Sequence, residues 1–239
     1  MRRAAAGERG PLWIKADRQS TGRGRAGRGW ISPSGNLAAT LLLAPGCQPA
    51  ELHQLSLLTG VAVHDAVLHF CNRSSVTTID ALRLKWPNDV LLGGAKVGGI
   101  LIESTMAEGA RVAAIGIGVN IAVAPAIEGR ETAALIDVGL APTAAQLLGA
   151  LDVALRRWLG TWRCGSGFAA VRTAWLQRAG PIGEAISVNT GPRTISGAFA
   201  GIDETGALLV SSVPAHPGEI QRFTFGDVSL LPPSHVEGS

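Results

Sequence analysis

The chain has 239 residues, 46% of them apolar and 16% charged, which is enough to bury a core and excludes a disordered protein. Its three cysteines are odd in number and widely spaced and do not suggest a disulfide framework or a zinc site, and its net charge of +3 gives little support for nucleic-acid binding. The longest apolar stretch, residues 112–127, is broken by glycine and proline and cannot span a bilayer, and the N-terminus lacks a secretory apolar run. We therefore expect a cytoplasmic protein with no membrane partner.

Apolar periodicity predicts alternating strands and helices along residues 1–180. Strands are predicted at residues 11–17, 37–43, 82–86, 90–92, 96–103 and 111–121. Helices are predicted at residues 49–72, 144–162 and 168–178. The pair Gly93-Gly94 lies between two apolar runs and predicts a tight hairpin. This alternation is typical of a layered α+β (α/β layered) domain.

The pattern changes after Gly180. Short strands are predicted at residues 185–189, 194–202, 207–211 and 219–225, separated by glycine, proline and aspartate turns. Such a run predicts a small all-β domain. We therefore expect two domains, residues 1–180 and residues 181–239.

The connection between the first two predicted strands, residues 18–29, carries four arginines, four glycines and no acidic residue. Glycine lets backbone amides approach a ligand, and guanidinium groups match the oxygen geometry of phosphate and carboxylate, so we infer phosphate binding. Residues 22–27 also fit the G-x-G-x-x-G pattern of dinucleotide folds, but Trp30 and Pro33 follow where that fold needs a helix. For this segment alone, RNA binding without sequence preference and a solvated surface loop remain alternatives.

A second cluster combines residues 85–89 (Lys-Trp-Pro-Asn-Asp) with residues 96–103 beyond the hairpin. A lysine on a strand is usually a surface residue, and this is our interpretation of Lys85 taken alone. Lys96 differs because glycines precede and follow it closely.

A third cluster is residues 116–120 (Gly-Ile-Gly-Val-Asn). Its glycines leave space for a flat group, and Asn120 could read a nucleobase or a ribose. A packed strand that ends in a turn-forming asparagine is the alternative interpretation.

Taken together, these segments resemble the signature blocks of biotin-protein ligases, in the order in which that family carries them. The blocks are residues 19–30, 85–89, 96–103 and 116–120. Residues 201–203 and 226–230 are similar to the family's small C-terminal barrel, so the resemblance covers nearly the whole chain. It implies a mixed-sheet catalytic domain similar to that of lipoate ligases, followed by an SH3-like barrel.

The resemblance implies that the chain activates biotin with ATP and Mg²⁺ and attaches it to a lysine of a biotin carboxyl carrier domain of acetyl-CoA carboxylase. The implied biotin-binding residues are Gln19, Arg23, Gly24, Arg25, Lys96 and Gly99. The implied nucleotide-binding residues are Arg25, Arg28, Trp30, Lys85, Asn88 and Asn120. The catalytic candidates are Lys96, Arg23 and Asp89. Asp89 is a candidate general base, a magnesium ligand or a turn residue, and the metal ligands stay open.

The sequence departs from the family pattern in two places. A Ser-Thr-Asn segment that contacts biotin in the family is missing before the glycine loop, so we expect the domain to lack its first strand and the start of its first helix. Leu231 stands where the family's barrel can contribute an arginine. No winged helix-turn-helix precedes residue 18, which implies no repressor function and no DNA partner. Homodimer formation is left open.

Rival interpretations remain at this point. They are a lipoate or octanoate ligase or transferase on the same fold, a ligase whose shortened N-terminus weakens biotin binding, and a non-enzymatic arginine-glycine binding module. The arginine-glycine loop and residues 85–89 favour biotin over lipoate.

Overall fold

The computed structural model describes residues 1–71, 81–127, 129–211 and 219–231. The helices are α1 (Arg2–Ala5), α2 (Gln54–Cys71), α3 (Ala144–Trp162) and α4 (Phe168–Leu176). The strands are β1 (Leu12–Ala16), β2 (Gln19–Arg23), β3 (Gly29–Ser32), β4 (Leu37–Leu43), β5 (Leu82–Lys85), β6 (Asp89–Leu92), β7 (Ala95–Ala107), β8 (Ala110–Val119), β9 (Ala185–Asn189), β10 (Thr194–Ile202), β11 (Leu208–Ser211), β12 (Ile220–Phe223) and β13 (Asp227–Leu230).

Six strands form the main sheet in the order β1-β4-β8-β7-β6-β5. Its neighbouring strands pair antiparallel, and parallel pairing in the described residues is confined to isolated bridges at Leu84–Ala179 and Lys96–Thr132. Gly93 and Gly94, at φ 60° and 90°, make the predicted turn between β6 and β7, because a two-residue turn of this hand needs positive φ at both positions.

Helices α2 and α3 pack against one face of this sheet, and α4 packs on these two helices and on β10. Along β8, Ile115, Ile117 and Val119 are buried in the core shared with these helices. Gly116 and Gly118 alternate with them and therefore face the opposite side of the sheet. No helix in the described ranges is long and apolar enough to cross a membrane.

Strands β9 to β13 form a second, five-stranded antiparallel sheet in the order β12-β11-β10-β9-β13. The small β region expected after Gly180 is therefore confirmed. Since β12 and β13 are the two ends of this order, closure into an SH3-like barrel stays a prediction. The sheet contacts the rest of the chain through Trp86, whose Nε1 donates to Gly206 O at 3.1 Å, and through the Arg83–Glu184 ion pair at 2.6 Å.

The layered α+β architecture is confirmed, and β4, β9, β10 and α3 have the predicted bounds. The predicted helix at residues 49–72 begins with a 3-10 turn before α2, and Asn72 lies outside the described residues. Apolar periodicity gave no indication of the hairpin β2–β3, which forms a two-stranded sheet of its own.

Candidate active site

A cavity of about 510 Å³ lies on the sheet face opposite the helices. Its floor includes two in-register pairs on β7 and β8, Gly99 opposite Gly118 and Leu101 opposite Gly116. Most of the residues predicted from sequence line this one space. They are Gln19, Arg23, Gly24, Arg25, Arg28, Trp30, Asn88, Lys96 and Gly99.

The arginine-glycine loop joins β2 to β3 beside this cavity. Gly24 N donates to Arg28 O at 2.7 Å, and Arg25–Gly27 form a single 3-10 turn between them. Because strand β3 follows, the G-x-G-x-x-G match lacks the helix that a dinucleotide site requires. Within the described part of the chain, the Arg23 side chain makes no hydrogen bond or ion pair, so its guanidinium is available to an anion.

Arg25 and Arg28, the two arginines between β2 and β3, contact residues at the start of β13. Arg28 Nη2 donates to Asp227 Oδ1 at 2.7 Å. Arg25 Nη1 lies 3.9 Å from the same oxygen and donates to Gly226 O at 3.2 Å. Arg25 Nη1 also donates to Asn88 Oδ1 at 3.5 Å, so this side chain links the residues just before β6 and just before β13 at the rim of the cavity.

Two lysines share one buried carboxylate next to the cavity. Lys96 Nζ forms an ion pair with Asp89 Oδ1, and Lys85 Nζ lies 3.1 Å from Oδ2. Burial would raise the pKa of Asp89, but the charges and hydrogen bonds of both lysines outweigh it and hold that pKa below its usual range. Burial lowers the pKa of Lys96, and Asp89 offsets part of this effect. Asp89 is therefore ionised and serves as the counter-ion of Lys96.

Lys85 and Asp89 line a second cavity, of about 640 Å³, which β13 also lines. Lys96 and Asn88 line both cavities and so form part of the wall between them. Lys85 Nζ donates to Val228 O at 2.7 Å, which ties β5 to β13. The nucleotide contact expected of Lys85 stays a prediction.

Asn120 follows β8 and is only 2% exposed. Its Nδ2 donates to Ala133 O at 3.1 Å and to Lys96 O at 3.5 Å, and its Oδ1 accepts from Asn36 Nδ2 at 3.4 Å. Asn36 Oδ1 in turn accepts the three backbone N–H groups of residues 121–123. This amide network holds the backbone that carries Lys96, and a contact of Asn120 with an adenylate stays a prediction.

Sequence reasoning missed three residues of the site. Arg130 lines both cavities, and its charge contributes to the lowered pKa of Lys96. Asn36 holds the segment after β8, and Asp227 binds the loop from 199 positions away. Asparagine and aspartate are common in turns and at strand ends, and arginine is common on the surface, so the type and spacing of these residues carry no signal of the contacts.

The described residues do not form a magnesium site made by the protein alone. Among them, no group of three His, Cys, Asp or Glu side chains is close enough to hold a metal ion. Asp89 is engaged by Lys85 and Lys96, and Glu103, which lines the cavity, is exposed.

The chain is similar to known proteins. The Biotin/lipoate A/B protein ligase family matches residues 8–120, and the Biotin protein ligase C terminal domain matches residues 182–231. The chain is 41% identical over 216 residues to the biotin–acetyl-CoA-carboxylase ligase of Paracoccus denitrificans, with 86% of each protein covered.

Solved structures agree with this likeness. Biotin protein ligase from Aquifex aeolicus in complex with biotin and ATP has a TM-score of 0.74 and 27% identity, over 92% of this chain and 88% of that one. The Leishmania major enzyme in complex with biotinyl-5-AMP has a TM-score of 0.61 and 25% identity, over 94% and 92%. With these matches and the cavity described above, the chain belongs to the biotin protein ligase family.

Proposed function

We propose that the chain is a biotin-protein ligase, which forms biotinyl-5′-AMP from biotin and ATP and transfers biotin to a lysine of a biotin carboxyl carrier domain of acetyl-CoA carboxylase. The observation that carries this proposal is the cavity, in which Lys96 and the arginines of the loop converge above a glycine-containing floor. The Paracoccus relative is named for ligation of biotin to that carboxylase, and the Aquifex structure holds biotin and ATP.

The first half-reaction needs concentrated positive charge. The biotin carboxylate attacks the α-phosphorus of ATP, a P–O bond forms, and pyrophosphate leaves with the electron pair of the broken bond. Because an anion approaches a polyanion, fixed cations lower the barrier most where charge develops. Arg23, Arg25 and Arg28 offer planar forks for phosphate oxygens, and Lys96 is a compact charge that can bridge the two reacting groups.

The biotinyl-adenylate is a mixed anhydride, so water must be excluded while it waits for the acceptor. We propose that loop residues 24–28 close over the cavity once ligands are bound. The glycines of this segment let its backbone rearrange with little steric cost.

The acceptor lysine must be neutral to attack the adenylate. A carboxylate with a lowered pKa is a weak base, and Asp89 is already bound by two ammonium groups. We therefore propose that Asp89 anchors Lys96 for the first half-reaction, rather than removing the proton of the acceptor.

Magnesium is proposed to arrive with ATP, because this ion binds phosphate oxygens, keeps several waters and needs few protein ligands. We assign it no step. We also propose that residues 1–180 form the catalytic domain and residues 181–239 the C-terminal domain, and that the enzyme works in the cytoplasm, where ATP is supplied.

The proposal is tested by ligand binding and by biotin-dependent exchange of pyrophosphate into ATP. We expect biotin, and biotin with ATP, to raise the melting temperature, while lipoate and RNA leave it unchanged. We also expect exchange only when biotin is present. A stabilisation by lipoate with none by biotin would assign the chain to lipoate chemistry, and a stabilisation by RNA alone would assign it to the binding-module class.

A further inference from the structure

The indole of Trp30 lies directly on the main sheet, over two glycines that face each other. Gly99 on β7 is in register with Gly118 on β8. A Cβ atom added at Gly118 would lie 2.4 Å from Cε2 and 2.6 Å from Nε1 of Trp30. A Cβ atom added at Gly99 would lie 3.4 Å from Cζ3 of the same ring. The indole thus fills the volume that any side chain at Gly118 would need.

Trp30 is a wall of the cavity and not its occupant. The cavity keeps about 510 Å³ with the indole in this place, and Trp30 is among its lining residues. Lys96 Nζ lies 5.6 Å from the ring centroid, within the range of a cation–π interaction. The position of the ring therefore sets one boundary of the cavity and one neighbour of Lys96.

The same contact joins the arginine-bearing hairpin to the sheet. Strands β2 and β3 pair with each other, and within the described ranges neither pairs with a strand of the main sheet. Between the described strands no ladder of backbone hydrogen bonds fixes the hairpin over the floor, so it is held by its short connections to β1 and β4 and by side-chain contacts. Trp30 belongs to β3 and makes its contact on that floor.

We infer that Gly118 is a positioning residue for biotin activation: it provides the seat for Trp30, and this seat fixes the hairpin β2–β3 and its arginines over Lys96. The inference rests on the proposed function. The glycines of β8 were expected to leave space for a flat group of a ligand, and at Gly118 the flat group is the indole of the chain itself.

The test is a double-mutant cycle of Gly118→Ala with Trp30→Leu, read by pyrophosphate exchange. In Gly118→Ala the added methyl group displaces the indole, so fewer molecules hold the hairpin in place and ligand binding must restore it. We expect the KM for biotin to rise about tenfold while kcat changes less than about threefold, because the apparent affinity falls with the competent fraction. In the Trp30→Leu background, Gly118→Ala should change that KM less than about twofold, since the colliding ring atoms are gone.

Gly116→Ala is the matched control, because Gly116 lies two positions earlier on the same face of β8 and also lines the cavity. A Cβ atom there would lie 3.4 Å from Leu101 O, an ordinary contact, and the neighbours it would meet belong to Leu101 and not to Trp30. The fold-changes that Gly116→Ala and Trp30→Leu each cause in the KM for biotin should therefore multiply in the double variant. An equal loss from Gly118→Ala with and without Trp30→Leu would overturn the inference.

Melting temperatures of the same variants give the cycle a readout that needs no activity. If Gly118→Ala lowers the melting temperature, most of that decrease should be absent when the substitution is made in the Trp30→Leu background. Equal decreases in the two backgrounds would show that Gly118 does not provide the seat for Trp30. A wild-type chain without exchange activity would defeat the proposed function, while the cycle in melting temperature would still decide whether Gly118 provides the seat for Trp30.

Discussion

At the scale of single residues, Lys96 differs from an ordinary strand lysine in the surroundings of its ammonium group. Its side chain is 15% exposed, pairs with a buried carboxylate and lies beside an indole. Lys15 on β1 is also paired to an aspartate, but it is 35% exposed and its partner Asp17 is 88% exposed. These two lysines have the same chemistry in different surroundings, so they form a matched pair for experiment.

We predict that Lys96→Met lowers the rate of biotin-dependent pyrophosphate exchange about 10²- to 10³-fold, the usual loss when one group that stabilises developing charge is removed. Lys15→Met should leave the rate unchanged, since Lys15 lies on the edge strand β1 and does not line the cavity. Exchange by Lys96→Met at the wild-type rate would remove Lys96 from the reaction.

Asp89→Asn separates anchoring from base catalysis. The variant replaces the charged partner of Lys96, and the loss of a charge-assisted hydrogen bond predicts adenylation slower by about ten- to a hundredfold. Single-turnover transfer from preformed biotinyl-adenylate to the carrier should slow by less than about threefold, because a carboxylate that only anchors Lys96 removes no proton in the transfer step. The reverse pattern, normal adenylation with slow transfer, would identify Asp89 as the base.

The arginines among glycines and the glycines around Lys96 indicated anion-binding residues, and the family resemblance added the role of Trp30; Lys96, Arg23 and Trp30 line one cavity. Residue type and spacing were not enough to separate the roles open to Asp89. Its two partners lie on β5 and β7, the strands on either side of it, but the sharing of one carboxylate depends on burial and on side-chain direction. Asp227 and Arg130 enter the site through long-range packing, which one sequence does not encode in any local pattern.

At the scale of elements, the hairpin β2–β3 escaped prediction for a physical reason. Apolar alternation reports a strand that buries one face in a core. This hairpin faces a polar cavity, and its strands pair with each other. The sequence therefore predicted a ligand-binding loop here but not the two strands of the hairpin. The strands of the main sheet and helix α3 have buried faces, and their pattern predicted them correctly.

We predict that biotin plus ATP protects the peptide bonds after Arg23, Arg25 and Arg28 from trypsin at least about tenfold. The glycine-rich loop loses much conformational freedom when it is ordered, so ligand contacts are needed to hold it closed. The bond after Arg163, an exposed residue at the end of α3, should be cut at the same rate with and without ligands. Equal cleavage of the loop in both conditions would contradict closure.

At the scale of the whole molecule, Asp65 is a junction of the helical layer. On α2, its Oδ1 accepts from Arg178 Nη2 at 2.8 Å and its Oδ2 accepts from Trp158 Nε1 at 2.9 Å. Burial would raise its pKa, but His64, the Trp158 indole and the Arg178 guanidinium outweigh burial and hold the pKa at about 2. The carboxylate thereby joins α2 to α3 and to the turn after α4.

The contacts of Asp65 make part of the free energy of unfolding depend on pH. The pKa of Asp65 is lower in the folded chain than the ordinary 3.8, so its contribution is complete above about pH 4 and is lost as the pH falls through about 2. The shift corresponds to about 2 kcal/mol of unfolding free energy at neutral pH. We predict that urea unfolding at pH 7 shows Asp65→Asn destabilised by at least this amount, and that the difference from wild type shrinks below pH 4.

Asp152→Asn is the control for this experiment. Asp152 also accepts from an indole, that of Trp13 at 2.7 Å, and from an arginine, but its side chain is 31% exposed against 13% for Asp65. Solvent screening should keep its effect below about 1 kcal/mol. Equal losses of unfolding free energy from the two substitutions at pH 7 would show that the burial of Asp65 adds nothing to its stabilising effect.

The two-part architecture could be predicted because the sequence changes from mixed periodicity to short strands at Gly180. The way the parts meet could not be predicted. Trp86 was read as part of a signature block, yet its Nε1 donates to Gly206 O across 120 positions. Contacts of this kind form only when complete sheets dock. The groups that make them, an indole, a carbonyl and a guanidinium, also occur on many surface residues, so the residue type does not reveal the contact.

Arg28 Nη2 donates to Asp227, and the remaining N–H donors of the same guanidinium border the cavity. If Arg28 also binds a phosphate oxygen of the nucleotide, as we propose, the two contacts are linked, and each changes the affinity of the other by the same free energy. Through a single carboxylate, the position of the C-terminal sheet would then depend on whether the cavity is occupied.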